Sequence, residues 1–299
     1  MNTARHMMTM DVLIVGCGDI GLRVAQRYRG DGVRVRGLVR SAAAVDALSA
    51  VGITPERRDL DDPASLVDLD LRDVDVYYFA PPPDRGVDDP RIAHFLAIAQ
   101  GDNRPRKLVY ISTTGVYGDC AGAWITEMQP VNPRSDRGKR RFAAESALRA
   151  WSVATGVPVV LLRVPGIYGP GRLPVSRLRQ GLPVLIEAEA PYSNRIHAED
   201  LADICRVAMA RAPAGSVFNV ADNQPTTMSH YFNRIADHLG LPRPPAVSLA
   251  EAREKLTPAM LSFIEESRRI DNRKLREELG IELRYPTLES WLERGETGG

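Results

Sequence analysis

The sequence predicts an α/β chain built on a doubly wound parallel sheet, with a smaller C-terminal lobe. Val12–Val15 is a short, wholly apolar run, as a strand buried on both faces requires, and further strand patterns recur up to residue 164. Helical patterns separate these runs, which is the rhythm of a parallel sheet with crossover helices. A glycine-rich turn, Gly16-Cys17-Gly18-Asp19-Ile20-Gly21, falls between the first run and the first helical pattern.

In chain order, Val12–Val15 is the first strand, and a helix carries Leu22, Val24 and Ala25 toward Tyr28 until Gly30-Asp31-Gly32 breaks it. Val33–Val39 is the second strand, and Ser41 is placed to cap a helix over Ala42–Ala50. Ile53–Arg57 is the third strand, with Pro63 suited to the first turn of the next helix. Val74–Ala80 is the fourth, stopped by Pro81-Pro82-Pro83; a helix follows over Pro90–Gln100. Lys107–Ile111 is the fifth strand, a long helix covers Asp136–Thr155, and Val157–Val164 is the sixth strand. Beyond Pro165, glycine and proline crowd into a loop. Helical patterns at 197–211, 227–240, 248–256 and 271–280, and one more strand at Val217–Val220, complete the reading. The expected organisation is a tail over 1–10, a sheet domain over 11–165 with 197–222 returning to it, and a substrate lobe from 166–196 and 223–299.

Composition narrows the function. The 299 residues are 44% hydrophobic with a net charge of +1, which argues against disorder as the main state. Lys and Arg (39) nearly cancel Asp and Glu (38), and there is no basic run with interleaved aromatics, so a nucleic-acid partner is not expected. Three cysteines, Cys17, Cys120 and Cys205, lie far apart, which argues against a disulfide frame or zinc site and fits a reducing cytoplasm. The apolar runs are too short to span a bilayer. Residues 1–10 lack the apolar core of a signal peptide and read as a frayed tail, with Met7, Met8 and Met10 as alternative starts.

The glycine turn carries the first chemistry. Between a buried strand and a helix, Gly16, Gly18 and Gly21 permit a tight turn and close approach of backbone to a pyrophosphate resting on the helix N-terminus. Asp19 suits the helix dipole but would repel that pyrophosphate, so its side chain is expected to point away, with Ile20 beside it in the turn. At the end of the second strand a carboxylate would hold a ribose 2′-hydroxyl, whereas an arginine accommodates a 2′-phosphate. The chain offers Arg40-Ser41 there, with Arg36 as the alternative should the strand end earlier, so NADP(H) is expected over NAD(H). Asp59 and Leu60 are placed either to meet the adenine or, for Asp59, to cap the helix at Pro63.

Further motifs follow in order: Ser112-Thr113-Thr114-Gly115-Val116-Tyr117-Gly118 after the fifth strand, Arg163 to Gly171 after the sixth, Arg195-Ile196-His197-Ala198-Glu199-Asp200-Leu201, and Phe218 to Asp222. With the glycine turn they make the chain resemble an extended short-chain dehydrogenase/reductase of the NAD-dependent epimerase/dehydratase kind, over about 11–292. The resemblance implies a Rossmann-type sheet and a nicotinamide cofactor, with contacts at Ala80, Pro81, Pro82, Arg141, Pro165 and Ile167. It makes Thr113 the hydroxyl that bonds the reacting oxygen of substrate.

The resemblance also implies a Tyr-x-x-x-Lys pair on the long helix. Anchoring on Ala143-Ala144-Glu145 puts that pair at Arg137 and Arg141, and no tyrosine occurs between Tyr117 and Tyr168. Arginine cannot shuttle a proton at neutral pH, although Arg141 can hold ribose hydroxyls as a fixed donor. Replacement donors are sought in Tyr117 and Tyr168, on loops at the carboxyl ends of strands, with packing as the alternative role for each; Asp119 and Glu127 are further candidates. Thr114 and Gly115 stand where some dehydratases carry Asp-Glu. Ser193 stands where sugar-nucleotide members often carry arginine, and Arg195 sits two residues on. Two readings remain: an NADP-dependent oxidoreductase or epimerase with a non-standard active site, or a non-catalytic NADPH- or metabolite-sensing protein. A small-molecule substrate is expected either way. The helices flanking the fifth strand offer a face for a homodimer.

Overall fold

The computed structural model describes residues 11–255, 257, 261 and 264–295. The expected tail over 1–10 and the end of the 248–256 helical pattern lie outside the described residues. The chain divides into two compact units, one of Met1–Ser112, Arg140–Leu162 and Ala202–Val217, the other of Thr113–Lys139, Arg163–Leu201 and Phe218–Gly299.

A seven-stranded sheet organises the fold. Its first five strands are β1 (Asp11–Val15), β2 (Arg34–Val39), β3 (Thr54–Arg57), β4 (Val74–Tyr78) and β5 (Lys107–Thr113), joined by Val159–Val164 and Val217–Asn219. The spatial order is Val217–Asn219, Val159–Val164, β5, β4, β1, β2, β3. The pairs β1–β2, β1–β4, β2–β3 and β4–β5 are parallel. The order reverses between β1 and β4, and in such sheets ligands bind outside the carboxyl ends of the strands at that switch point. The apolar runs fill the middle of this sheet: Val12, Leu13, Ile14 and Val15 are each 0% exposed, and all five residues of β4 are buried. Water is excluded from both faces, so unbranched alternation is absent from these strands.

The helices between its strands include α1 (Asp19–Gln26), α2 (Ala42–Ala50), α3 (Pro90–Ile98) and α4 (Asp136–Thr155), and the helix Ala198–Arg211 leads into Val217–Asn219. Ser41 caps α2 as expected, its hydroxyl accepting from Ala44 N–H at 3.2 Å. Asp89 caps α3, accepting from Arg91 and Ile92 N–H ahead of Pro90 in the first turn. The element at Pro63 is a single 3₁₀ turn, Pro63–Leu66, capped by Asp62 through Ala64 N–H. Strand β5 runs two residues beyond the expected Ile111, which carries Ser112 and Thr113 to its carboxyl end.

The second unit holds short pieces that no periodicity announces. Gly166–Tyr168 pairs in parallel with Arg195–His197, and Trp124–Ile125 with Arg269–Ile270. Strands of two or three residues are too short to display a period, and their partners are distant in sequence. The core of this unit is aromatic: Tyr168, Tyr285 and Trp291 are each at most 1% exposed and join Phe232 and Ile235 of the helix Met228–His238.

Candidate functional site

In the first unit the glycine turn divides its labour among three residues. Gly16 has φ +81°, and a Cβ there would lie 2.5 Å from Ala80 N, so the backbone leaving β1 presses on the backbone leaving β4. Gly16 and Cys17 N–H donate to Leu38 O, while Phe79 and Ala80 N–H donate to Val15 O, tying the three strand ends together. A Cβ on Gly18 would meet nothing within 4 Å, so its face stays open to an approaching group. A Cβ on Gly21 would lie 3.0 Å from Ile14 and 3.2 Å from the Cys17 sulfur, so Gly21 allows α1 to pack on β1. This is the cradle a pyrophosphate requires: open backbone at a helix N-terminus with the Cβ positions vacated. The Asp19 carboxylate bonds Arg23 Nε at 2.9 Å, and Ile20 is buried.

Arg40 follows β2 with its side chain 69% exposed, 3.8 Å from Asp61. Arg36 is buried instead, bonding Asp70 O at 2.7 Å and Glu56 at 3.3 Å, which leaves Arg40 as the arginine at the strand's carboxyl end. The Asp59 carboxylate accepts from Asp61 N–H at 3.0 Å, so the capping role falls to Asp62. Leu60 is buried and its carbonyl accepts from His94 Nδ1–H at 2.8 Å. After β4, Ala80 is buried, and Pro81 O accepts from Arg91 Nη1 at 2.9 Å ahead of Pro82. Arg141 donates through Nη1 to the Tyr110 hydroxyl at 3.1 Å and to Ile111 O at 2.9 Å, anchoring α4 to β5. Fully buried Glu145 accepts from Ser112 at 2.5 Å.

In the second unit a cavity of about 610 Å³ opens on Thr113, Thr114, Gly115 and Arg137 on one side and Pro165, Gly166 and Ile167 on another. Thr113 caps the 3₁₀ turn Thr114–Tyr117, its Oγ1 accepting from Gly115 N–H at 3.1 Å. A Cβ on Gly138 would lie 2.8 Å from Gly115 O, so the helix residue beside Arg137 has to be glycine for this close approach. Arg137 therefore meets the cavity at the position where the family resemblance places a phenol.

The other walls carry residues that the sequence reading did not select: Arg172, Arg177, Glu266 and Arg268, together with Arg195. Five arginines thus face one carboxylate, Glu266. Glu266 accepts from Arg268 at 2.8 Å. Arg177 lies over the Phe232 ring at 4.6 Å and Arg195 over the Tyr231 ring at 3.7 Å. Burial disfavours the charged form of both guanidiniums, and the Nε of each is buried with no hydrogen-bond partner. Among the described residues neither makes an ion pair with a carboxylate, although the Asp222 carboxyl lies near enough to favour the charge on Arg195. In an arginine-rich chain a single arginine carries no signal, so only their convergence in space reveals the set.

Tyr117 and Tyr168 lie elsewhere. Tyr117 is 1% exposed, donates to Asn219 Oδ1 at 2.8 Å, and packs under Arg163 at 4.7 Å. Tyr168 is 0% exposed, and burial pushes its phenol far above the usual range. Its ring packs against His197 at 5.2 Å and Trp291 at 5.6 Å. Neither lines the cavity; the phenols that do are Tyr192 and Tyr231. His197 is buried and its Nδ1 accepts from Glu199 N–H at 3.2 Å, which places the ring proton on Nε2. Asp119 accepts from Ala121 and Ser267 N–H, and Glu127 accepts from N–H of Asn219 at the end of its strand, so both carboxylates are engaged with main chain. No group of metal-ligating side chains occurs among the described residues, and no helix among them is long and apolar enough to cross a membrane.

The chain is similar over most of its length to several known proteins. Protein YeeZ of Escherichia coli K12 is 26% identical over 291 residues, covering 92% of this chain and 96% of YeeZ. The structure of a functionally unknown conserved protein from Silicibacter pomeroyi is 33% identical with a TM-score of 0.81, covering 97% of this chain and 99% of that one. UDP-glucose 4-epimerase from Thermotoga maritima, solved with UDP-glucose, shares the fold at a TM-score of 0.77 and 19% identity, covering 95% and 96%. The family model for the NAD dependent epimerase/dehydratase family matches residues 12–221, spanning the glycine turn, β5 and the motifs after it. This chain is a member of the NAD-dependent epimerase/dehydratase family, with the nicotinamide-cofactor fold of that family.

Proposed function

We propose that the protein is an NADP-dependent oxidoreductase or epimerase acting on a small anionic substrate, with an active site that lacks the tyrosine of Tyr-x-x-x-Lys. The observation that carries this reading is the cavity at Thr113, where five guanidiniums face one carboxylate. Arg177 and Arg195 lose hydration there without gaining an ion pair, and the one carboxyl that favours the charge of Arg195, Asp222, is itself pushed toward its neutral form by burial. Such an arrangement is costly unless an anion completes it. A phosphate or carboxylate group on the substrate supplies that partner, because arginine presents a planar fork that matches either.

The glycine turn fits the pyrophosphate of the dinucleotide, and Arg40 fits a 2′-phosphate, which favours NADPH over NADH. When bound, the nicotinamide ring supplies the redox chemistry. Thr113 Oγ1 accepts from Gly115 N–H, which leaves its own proton to donate to a substrate oxygen. A proton shuttle needs a group that reaches the cavity, and Tyr231 and Tyr192 are the phenols that do. We place the protein in the cytoplasm, as a homodimer through α3 and α4.

A second reading, cofactor-responsive binding without hydride chemistry, is favoured by one observation. Arg137 lines the cavity where the family places its proton shuttle, and a guanidinium cannot take that role. Fluorescence titration with NADPH and NADH, followed by a screen of phosphorylated and carboxylated carbonyl compounds for NADPH oxidation, separates the two. Turnover that Thr113→Val abolishes supports the enzyme. Tight NADPH binding with no turnover across the screen supports the sensor, and failure to bind either dinucleotide removes both.

A further inference from the structure

At the carboxyl end of the first unit's sheet, three charged side chains from three successive connections meet. Arg40 follows β2, Asp61 follows β3, and Arg91 lies in the first turn of α3, after β4. These strands are parallel, with Val39 paired to Arg57 and Val15 to both Leu38 and Tyr78, so the connections leave the same edge of the sheet as the glycine turn. Arg91 grips Asp61 with both prongs: Nε to Oδ1 at 2.7 Å and Nη2 to Oδ2 at 2.6 Å. Its third nitrogen donates to Pro81 O at 2.9 Å, which fixes the guanidinium to the chain leaving β4. Arg40 reaches the same carboxylate only at 3.8 Å and stays largely in solvent. The bidentate pair holds the Asp61 carboxyl below the usual carboxylate range.

We propose that Arg91 sets the cofactor preference from a distance, by occupying Asp61 so that Arg40 remains available to a 2′-phosphate. Asp61 is a carboxylate placed where it would either pair with Arg40 or repel a phosphate. A bidentate guanidinium satisfies its lone pairs and cancels its charge. The three side chains then carry one net positive charge, and Arg40 is the one with a free face. Arg91 and Asp61 are positioning residues here, and Arg40 is the contact. The inference rests on the NADP reading proposed above and deepens it.

The test is the ratio of NADPH to NADH dissociation constants, measured by fluorescence on the full chain with no turnover required. The wild type tests the underlying reading: a preference for NADH overturns that reading and this inference with it. Given an NADPH preference, Arg91→Met is expected to weaken NADPH by roughly three- to tenfold with little change for NADH, the size of one solvent-screened charge interaction. Asp61→Asn added to Arg91→Met restores the ratio, because the local charge returns to its starting value. Asp61→Asn alone, which leaves Arg91 bound to Pro81, keeps or raises the NADPH preference and guards against a folding defect in the arginine variant. Two results overturn the inference while sparing the NADP reading: a ratio unmoved by Arg91→Met, or equal losses for both dinucleotides that Asp61→Asn does not rescue.

Discussion

A Cβ built on Gly16 would stand 2.5 Å from Ala80 N, closer than any side chain tolerates, and Gly16 also holds φ +81°. The contact locks the end of β1 against the end of β4, at the reversal of strand order. Gly16→Ala therefore meets both a strained backbone and a clash with main chain that cannot swing aside. A loss of about 1–3 kcal/mol is expected from the strained conformation alone, and dinucleotide binding should fall with it. Gly18→Ala meets no atom within 4 Å. It should leave the urea midpoint nearly unchanged yet weaken dinucleotide binding, because its methyl occupies the open face. Comparable destabilisation by the two variants would contradict this division of roles.

Tyr117 and Tyr168 separate hydrogen bonding from packing. Tyr117→Phe removes a donor to Asn219 Oδ1 at 2.8 Å and leaves a buried amide oxygen short of a partner. It should cost about 1–2 kcal/mol. The Tyr168 hydroxyl is buried without a partner, so Tyr168→Phe should be neutral or slightly stabilising. Because neither ring lines the cavity, both variants should keep the wild-type thermal response to inorganic phosphate; a large selective loss in either would place that phenol at the ligand.

Much of the framework is legible in the sequence. The buried runs at Val12–Val15 and Val159–Val164 announce themselves because a parallel sheet covered on both faces tolerates little else. The turn at Gly16, Gly18 and Gly21 is legible because each position has a separate steric demand that only glycine meets. The cavity wall was not legible. Arg177 and Arg268 lie 91 residues apart in the numbering, one in the five-residue helix Val175–Arg179 and the other just before the two-residue strand Arg269–Ile270, elements too short to show a period. Asp59 and Asp62 show the same limit on a smaller scale. The sequence reading offers Asp59 as the cap of the turn at Pro63, whereas Asp59 accepts from Asp61 N–H and Asp62 is the residue that accepts from Ala64 N–H.

Asp222 gives the stability a pH dependence. It is 3% exposed, and burial pushes its carboxyl up to about 8, with Glu289 and Asp200 adding to the rise while Gln224 N–H and Arg195 oppose it. The folded chain therefore keeps this proton where the unfolded chain, with an ordinary carboxyl, has released it. Between about pH 4 and pH 8 the unfolded state binds fewer protons, so this residue makes stability fall as pH rises, by at most about 1.4 kcal/mol per unit. Asp222→Asn keeps an oxygen for Gln224 N–H and removes the titration. Urea midpoints at pH 5 and pH 8 should show the variant gaining on the wild type at the higher pH. An equal offset at both would mean that Asp222 ionises normally in the folded protein.

The arginines of the cavity make a prediction of opposite signs. Arg195 stacks on Tyr231 at 3.7 Å with its Nε unpartnered, and Arg177 stacks on Phe232 at 4.6 Å in the same condition. A desolvated guanidinium that makes no ion pair opposes folding, and replacing it by an apolar side chain of similar length relieves that cost. Arg195→Met and Arg177→Met should each leave the protein as stable as the wild type or more stable by about 1 kcal/mol in the absence of anions. Inorganic phosphate should raise the wild-type Tm beyond the effect of matched ionic strength, through binding to the folded state alone, and each variant should lose most of that rise. The combination of higher stability and lost phosphate response is the signature of charges held in place for a ligand. If both variants are destabilised and still respond to phosphate, these arginines are structural and the anion binds elsewhere.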